Sequence, residues 1–326
     1  MRIHIQNPLD DPLFIFTRSQ WDEAAERAGA VGAGHALSIG ESADEFARAM
    51  GAAEALITDT ETIRRLMPVA APKLRLVFAT SAGLDMLAPF DWLPPDAVLL
   101  NNRGVHAAKA GEFAIMAVLM LASGIPAMIT AQRAGRWEKR WGRVLDGARA
   151  TVVGLGSLGG AAAGQARRFG MRVSGVRTRA GAHPDCERVV AVSALDQVLE
   201  ETDFLLLACP LTETTRGLID RRRIGLLPRG AGLVNIGRGG LLDQDALCDA
   251  LERGHLGGAV LDVFAPEPVP AGHRLWTTPN LVMSPHTAAD DPATYNPRSL
   301  DLFFANLRAL AQGRALPNRF DTTRGY

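Results

Sequence analysis

The sequence predicts an α/β protein with two doubly wound domains, each built on a parallel sheet. Short β-type runs alternate with helical patterns along almost all of the 326 residues, as parallel sheets with crossover helices require. The β-type runs are apolar throughout rather than alternating, which is typical of strands covered by helices on both faces. The chain length also fits about two domains.

In the N-terminal third, apolar runs predict four strands, at residues 1–6, 54–59, 74–80 and 97–102. Two helices are expected at 19–30 and 42–53, each beginning at a serine that is typical of a helix N-cap. Near the other end of the chain, residues 299–315 form an amphipathic helical pattern with no strand beside it. We therefore expect this helix to pack back on the N-terminal domain and make that domain discontinuous.

The middle of the chain predicts one uninterrupted domain. A long apolar helix is expected at about 110–134, and a glycine-rich helical stretch at 159–170. Six apolar runs predict strands, at residues 150–156, 171–176, 203–209, 232–237, 258–264 and 281–286. The expected boundaries are 1–102 and 287–326 for the discontinuous domain and 103–286 for the inserted one.

Composition excludes several classes of protein. Hydrophobic residues make up 47% and charged residues 21%, which argues against disorder. Basic and acidic residues balance at 35 each, so no net charge favours nucleic acid or an anionic membrane. The three cysteines contain no CxxC pair and indicate neither a disulfide framework nor a metal site. The N-terminus lacks a secretory pattern, and the apolar stretch 113–124 is short for a bilayer, so a cytoplasmic protein is expected.

Residues 150–160 contain the pattern G-x-G-x-x-G directly after an apolar run and before a helical one. Its glycines are Gly154, Gly156 and Gly159, which suit a tight turn, close approach to a pyrophosphate and close helix–strand packing. The helix N-terminus adds free N–H groups and a positive dipole end. A glycine-rich turn without a ligand is the alternative, but the strand–loop–helix context favours a dinucleotide site.

The following strand ends in Arg177, Thr178 and Arg179, where an acid that binds the ribose 2′-hydroxyl is usual in NAD-binding folds. Arg177 lies 23 residues after Gly154. Two guanidinium groups can bind a 2′-phosphate, which a carboxylate would repel. The alternative is a pair of solvated surface arginines. The pattern favours NADP(H), with NAD(H) still possible.

Three side chains follow predicted strands at the edge where an open α/β sheet binds its ligands. They are Arg238, Glu267 and His286. A protonated histidine can donate a proton to a carbonyl oxygen that receives a hydride at carbon, and a nearby carboxylate raises the pKa of that histidine. The arginine can bind a carboxylate with a forked donor set. Each residue also has a structural alternative. Arg238 could be a turn residue, Glu267 a solvated loop acid and His286 a structural histidine.

These residues stand in blocks that resemble the D-isomer-specific 2-hydroxyacid dehydrogenase family over nearly the whole chain. The blocks are SAGLD, KAGEF, GLGSLGG, CPLTETTRGLID, VNIGRGGLLD, LDVFAPEP and SPHTA. The resemblance implies a Rossmann cofactor domain and a discontinuous flavodoxin-like substrate domain, a small 2-oxo acid or D-2-hydroxy acid as substrate, and a homodimer. The missing acid at position 177 resembles the NADPH-using glyoxylate/hydroxypyruvate reductase branch. The stretch after His286 departs from the common family form.

The resemblance also implies roles for individual residues. Arg238, Glu267 and His286 would be catalytic, with Arg238 and His286 also contacting substrate. The backbone of Ala82, Gly83 and Leu84 would help bind the substrate carboxylate. Contacts with the dinucleotide are implied beyond the glycine loop and the arginines, at Ser157, Leu158, Cys209, Pro210, Ile236 and Asp262.

Other functions remain possible from sequence alone. A dinucleotide-sensing, corepressor-like protein could keep this fold, although a complete Arg–Glu–His set favours turnover. A methyltransferase on a similar fold would leave that set without a purpose. The choice of 2-oxo acid stays open. No role is assigned to His106 and Lys109, and Trp137 and Trp141 are expected in packing or in dimer contacts rather than at substrate.

Overall fold

The computed structural model describes residues 1–9 and 14–325, and the chain divides into two units. The first unit comprises Met1–His106 together with the C-terminal stretch that begins at Asp291. The second unit is Ala107–Asp290. Each unit contains one sheet in which all the paired strands are parallel. The predicted fold class, two doubly wound α/β domains, is therefore confirmed.

The first unit has a five-stranded sheet in the order β2-β1-β3-β4-β5, which is the flavodoxin-like arrangement. Its strands are β1 Arg2–Gln6, β2 Ala36–Gly40, β3 Ala55–Thr58, β4 Leu76–Ala79 and β5 Val98–Leu100. Its α-helices are α1 Arg18–Ala28, α2 Ala43–Met50, α3 Thr60–Leu66 and the C-terminal helix Tyr295–Ala311.

The C-terminal helix packs on the N-terminal sheet through aromatic side chains. Phe304 lies 4.8 Å from Trp21 of α1 between ring centroids, and Phe303 lies 5.8 Å from Phe78 of β4. All four side chains are almost completely buried. Burial of such large rings contributes about 2 kcal/mol for each side chain, so this cluster fastens the returning helix to the first unit.

The second unit has a seven-stranded sheet in the order β12-β11-β10-β9-β6-β7-β8. Its strands are β6 Arg149–Val153, β7 Arg172–Arg177, β8 Arg188–Ala191, β9 Phe204–Leu207, β10 Gly232–Asn235, β11 Gly258–Leu261 and β12 Leu281–Met283. Its α-helices are α4 Ala107–Ala122, α5 Ile125–Arg133, α6 Ser157–Arg168, α7 Leu195–Leu199, α8 Arg221–Leu226 and α9 Gln244–Glu252. The strand order reverses between β9 and β6, and the crevice at such a switch point binds ligands.

The single long helix expected at 110–134 is wrong. The structure has α4 and α5, bent by 65° at a break after Ala122. Gly124 adopts a left-handed φ of 71° as the N-cap of α5, and Pro126 lies in the first turn of that helix. A proline inside a continuous helix would remove a hydrogen bond and clash with the preceding turn. The pair Gly124 and Pro126 was the signal of this break in the sequence.

Smaller differences between prediction and structure concern helix ends and elements that were not predicted. The helix expected at 19–30 begins at Arg18, capped by Thr17 and Gln20 in a capping box rather than by a serine. The predicted cap at Ser42 is confirmed. Sequence analysis missed the strands β2 and β8 and the helices α3, α7, α8 and α9. The strand β2 is an edge strand whose residues are mostly not buried, so it lacks the continuous apolar pattern.

Among the described residues no single helix is both long and apolar enough to cross a bilayer; only the bent pair α4 and α5 reaches that length and composition.

Candidate active site

Three neighbouring strands of the second unit bring the predicted arginine, glutamate and histidine to one edge of the sheet. Arg238 follows β10, Glu267 lies in the loop after β11, and His286 follows β12. These strands are adjacent and parallel, so their carboxyl ends lie side by side. The structure thus places the three residues together at the edge of the sheet where the sequence predicted them.

His286 and Glu267 form a hydrogen-bonded ion pair. Nδ1 of His286 lies 2.8 Å from Oε2 of Glu267. The hydrogen bond to Glu267 raises the pKa of His286 above its usual value, against the opposing effect of burial. Because Nδ1–H donates to the carboxylate, the other ring nitrogen, Nε2, is left for an external partner. The side chain of His286 is 50% exposed, so it is accessible to one.

Glu267 is itself held in place by the backbone. Its Oε1 accepts a hydrogen bond from the N–H of Phe264 at 2.6 Å. Burial acts to raise the pKa of Glu267, but its hydrogen bonds from His286 and Phe264 outweigh that effect, and the pKa is lowered. Glu267 is therefore a carboxylate at neutral pH and can stabilise a positive imidazolium.

Arg238 emerges from a turn that its neighbours build. The side chain of Asn235 accepts from the N–H of Gly237 at 3.1 Å and donates to the carbonyl of Arg238 at 3.0 Å. A Cβ at Gly239 would lie 1.9 Å from the carbonyl carbon of Phe264, so only glycine fits there. The positive charge of Arg238 contributes to the lowered pKa of Glu267 and offsets a small part of the rise that Glu267 causes in the pKa of His286. Sequence analysis missed Asn235, which stands in the VNIGRGG block.

The loop that carries His286 is anchored by Asp262, which is only 2% exposed. Oδ1 of Asp262 accepts from the hydroxyl of Ser284 at 2.5 Å and from the N–H groups of Thr287 and Ala288 at 2.9 and 3.1 Å. His286 has a φ of 57°, a left-handed conformation that is uncommon for a residue with a side chain. Such conformations persist where the surroundings enforce them, and they cluster at functional sites.

The glycine loop between β6 and α6 has the geometry that a dinucleotide needs. Gly154 turns with a φ of 92°, and a Cβ there would lie 2.6 Å from the Cα of Cys209. A Cβ at Gly159 would lie 1.8 Å from the carbonyl oxygen of Gly154. At Gly156, by contrast, a Cβ would meet open space. The first and third glycines thus serve close packing, while the second leaves room for a pyrophosphate to approach the backbone.

The remaining predicted cofactor residues border the same crevice along the sheet edge. Ser157 and Leu158 begin α6, whose N-cap Gly156 provides no side-chain cap to the first N–H groups. Cys209 and Pro210 follow β9, and Ile236 follows β10. These positions suit the pyrophosphate and the nicotinamide half of a dinucleotide.

At the end of β7, Arg177, Thr178 and Arg179 are all exposed. Within residues 1–9 and 14–325, neither of the two arginines has an ion-pair partner. No carboxylate in the described ranges therefore neutralises their charges. Two such guanidinium groups beside a dinucleotide site can bind a phosphate.

The predicted carboxylate-binding residues Ala82, Gly83 and Leu84 belong to the first unit, in the loop after β4. His106 is buried there and its ring packs 5.4 Å from the ring of Tyr295. In the second unit, Lys109 is paired with Glu112 at 3.9 Å on the exposed face of α4.

Trp137 and Trp141 are 96% and 89% exposed, in the segment between α5 and β6. Of the two expectations for these tryptophans, packing within the chain is therefore wrong, and a role in dimer contacts stays a prediction. The segment is rich in charged residues, and Glu138 bridges Arg136 and Arg140 at 2.6 and 2.9 Å. A segment held by such exposed ion pairs projects its rings away from the core.

The comparisons with known proteins agree with this geometry. Residues 115–288 match the family model described as D-isomer specific 2-hydroxyacid dehydrogenase, NAD binding domain. A glyoxylate reductase of Korarchaeum cryptofilum is 33% identical over 260 residues, 76% of each chain. A glyoxylate reductase of Thermococcus kodakarensis is 32% identical over 261 residues, which are 76% of this chain and 77% of that one.

Solved structures are similar over the whole chain. A D-isomer specific 2-hydroxyacid dehydrogenase family protein from Aeromonas salmonicida has a TM-score of 0.82 at 26% identity, covering 98% of this chain and 99% of that one. A D-isomer specific 2-hydroxyacid dehydrogenase from Xanthobacter autotrophicus, solved with NADPH and MES, has a TM-score of 0.78 at 29% identity, covering 99% of each chain.

Proposed function

The chain belongs to the D-isomer-specific 2-hydroxyacid dehydrogenase family and is an NAD(P)-dependent oxidoreductase of 2-oxo acids. We propose that it reduces glyoxylate or hydroxypyruvate with NADPH. The observation that carries the proposal is the 2.8 Å pair of His286 and Glu267 at the strand end next to Arg238. Two relatives named glyoxylate reductase support the choice of a small 2-oxo acid.

In the proposed mechanism, His286 is the proton donor. A nicotinamide dinucleotide held at the glycine loop would supply the hydride that the carbonyl carbon of the 2-oxo acid accepts. As the carbonyl oxygen gains electrons, Nε2–H of His286 transfers its proton to that oxygen. The carboxylate of Glu267 stabilises the imidazolium before this transfer. In the oxidative direction, neutral His286 removes the proton from the hydroxyl group of the D-2-hydroxy acid.

We propose that Arg238 binds the substrate carboxylate and polarises its carbonyl group. Guanidinium is always charged at neutral pH and offers parallel N–H donors that match a carboxylate. For residues 82–84 of the first unit, the proposed role is to bind a substrate carboxylate through backbone N–H groups. Hydrogen bonds from His286 and Phe264 outweigh burial and lower the pKa of Glu267, and the charge of Arg238 adds a smaller effect in the same direction.

The cofactor would be held by the glycine loop and by the strand ends around it. Gly156 and the first turn of α6 suit the pyrophosphate, and Ile236 and Asp262 suit the nicotinamide carboxamide. We propose that Arg177 and Arg179, with Thr178, bind the 2′-phosphate and make NADPH the preferred cofactor. The NADPH in the related Xanthobacter autotrophicus structure supports this preference.

The direct test is nicotinamide oxidation, measured with NADPH and with NADH against a panel of 2-oxo acids. Glyoxylate and hydroxypyruvate should be reduced, and NADPH should give the higher kcat/KM. The His286→Ala variant should lose turnover yet bind NADPH as the wild type does. Absence of oxidation with every acid would refute the proposed function, while turnover that survives in the variant would refute the role of His286.

We also propose a homodimer formed through α4, the longest helix of the second unit. A groove of about 410 Å³ runs along α4 and α5, and Met116 and Leu119 in it are exposed apolar side chains. Exposed apolar surface of this kind is typical of interfaces. Sedimentation should give a dimer, and Met116→Glu together with Leu119→Glu should give a monomer; a wild-type monomer would refute the proposal.

A cytoplasmic location is proposed as well, because the three cysteines of this chain are all free. Cell fractionation tests it, and recovery of the protein outside the cytoplasmic fraction would refute it.

A further inference from the structure

In the first unit, the loop 81–84 after β4 is held through three successive carbonyl groups. The carbonyl of Thr80 accepts from the side-chain amide of Asn102 at 2.8 Å and also from the hydroxyl of Tyr295. The carbonyl of Ser81 accepts from the N–H of Asn102 at 3.0 Å. The carbonyl of Ala82 accepts from the side-chain amide of Asn101 at 2.8 Å. Each of these peptide units is therefore fixed on its carbonyl side.

Fixing the carbonyls also fixes the N–H groups. In a planar trans peptide, the N–H of the next residue points away from the carbonyl oxygen. The anchored carbonyls of Thr80, Ser81 and Ala82 thus orient the N–H groups of Ser81, Ala82 and Gly83 on the opposite sides of these peptide units. Across the described part of the chain, these three N–H groups donate to no other group of the protein. Successive free N–H groups in a turn bind anions.

Tyr295 is held firmly enough to act as an anchor. It begins the C-terminal helix, and its ring packs 4.5 Å from that of Phe14 and 5.4 Å from that of His106. The hydroxyl of Ser299 donates to the carbonyl of Tyr295 at 2.7 Å and accepts from Asn102 at 2.8 Å. Tyr295 and Asn102 therefore belong to one buried network that ends at the carbonyl of Thr80.

We propose that Tyr295 is a positioning residue for substrate binding: it pins the loop 81–84 so that the loop's N–H groups are directed at the carboxylate of the 2-oxo acid. Tyr295 lies in the stretch after His286 and begins the C-terminal helix. The inference rests on the proposed function, since it assigns the anion bound by the loop as the substrate's carboxylate.

The Tyr295→Phe variant removes the anchoring hydroxyl and keeps the ring contacts. KM for glyoxylate or hydroxypyruvate should rise about fivefold, equivalent to about 1 kcal/mol, with kcat within about twofold. The Kd of NADPH should not change. As a matched control, Thr202→Val also removes a buried hydroxyl that donates to a main-chain carbonyl, that of Val198, at the amino end of β9. This control should lower the melting temperature and leave KM unchanged.

A second pair of variants separates anchoring from general loss of stability. Asn101→Ala removes the bond to the Ala82 carbonyl and should raise KM in the same way. Thr278→Val removes another buried hydroxyl, which donates to the carbonyl of Arg274 in the second unit, and it should leave KM unchanged. Unchanged KM in Tyr295→Phe and Asn101→Ala, or an equal rise in the two controls, would overturn the proposal.

Oxalate binding measured by calorimetry gives a readout that needs no turnover. The wild type should bind this dicarboxylate, and Tyr295→Phe should bind it about fivefold more weakly. Wild-type protein that binds oxalate but reduces no 2-oxo acid would contradict the proposed function alone. Equal affinity in wild type and variant, or no binding by either, would contradict the anchoring role of Tyr295.

Discussion

Replacing Glu267 with glutamine keeps the shape of the side chain but removes the charge that stabilises protonated His286. Oε2 of Glu267 lies 2.8 Å from Nδ1 of His286. The side chain of Glu267 is 34% exposed and that of His286 is 50% exposed, so solvent screens part of their attraction. We take the low end for a hydrogen bond to a charged group, about 1.5 kcal/mol, which equals slightly more than tenfold in the ratio of protonated to neutral His286. Because Glu267 raises the pKa of His286, its loss moves the alkaline limb of the reduction rate to lower pH.

The assay is kcat/KM for reduction of the 2-oxo acid, measured across pH with NADPH. In the wild type the rate should fall as His286 loses its proton, at a pH above the usual pKa of a histidine. In Glu267→Gln the fall should begin at lower pH, with about tenfold less activity on the alkaline side and a smaller difference at acid pH. Glu201→Gln is the control, since Glu201 forms an exposed ion pair with Arg188 before β9. An alkaline limb that does not move would refute the coupling of the pair.

Further predictions concern the cofactor, the loop and the substrate anchor. Arg177→Asp should raise the KM of NADPH at least about tenfold relative to that of NADH, measured by initial rates with both; an unchanged ratio would contradict the 2′-phosphate role. Gly156→Ala should fold normally but bind NADPH more weakly by fluorescence titration, whereas Gly159→Ala should lose about 3 kcal/mol in denaturant unfolding, because its Cβ would lie 1.8 Å from a carbonyl oxygen. Arg238→Lys should raise substrate KM about tenfold, and equal KM would exclude a forked contact.

The sequence alone predicted the fold class and the strands β9 to β12 because both depend on apolar runs, although the predicted runs extend two or three residues past the observed carboxyl ends. Apolar runs that helices cover on both faces form parallel strands. Because β10, β11 and β12 are adjacent and parallel, their carboxyl ends lie next to each other. The residues just after these strands are therefore neighbours whatever their separation in sequence. That rule places Arg238 and His286 together without any knowledge of side-chain packing.

Other features depended on local geometry that periodicity does not encode. The break between α4 and α5 arises from the left-handed Gly124 and from Pro126, within an apolar pattern that continues on both sides. The edge strand β2 buries only part of its residues, so it lacks a distinct apolar run. The exposure of Trp137 likewise depends on the path of a charged segment rather than on its own hydrophobicity.

Asp262 shows most clearly how a residue's role can exceed what its position in the sequence predicts. The resemblance implies that it binds the nicotinamide carboxamide, but in the structure its Oδ1 accepts three hydrogen bonds from the loop that carries His286. Its Oδ2 accepts one, from Ala288 at 3.1 Å, and a carboxylate oxygen can accept a second. Both roles are therefore compatible, and one buried carboxylate can couple the position of the proton donor to that of the cofactor. Asp262→Asn should accordingly impair NADPH binding and proton transfer together, whereas a variant that affected NADPH binding alone would show that the loop holds His286 without Asp262.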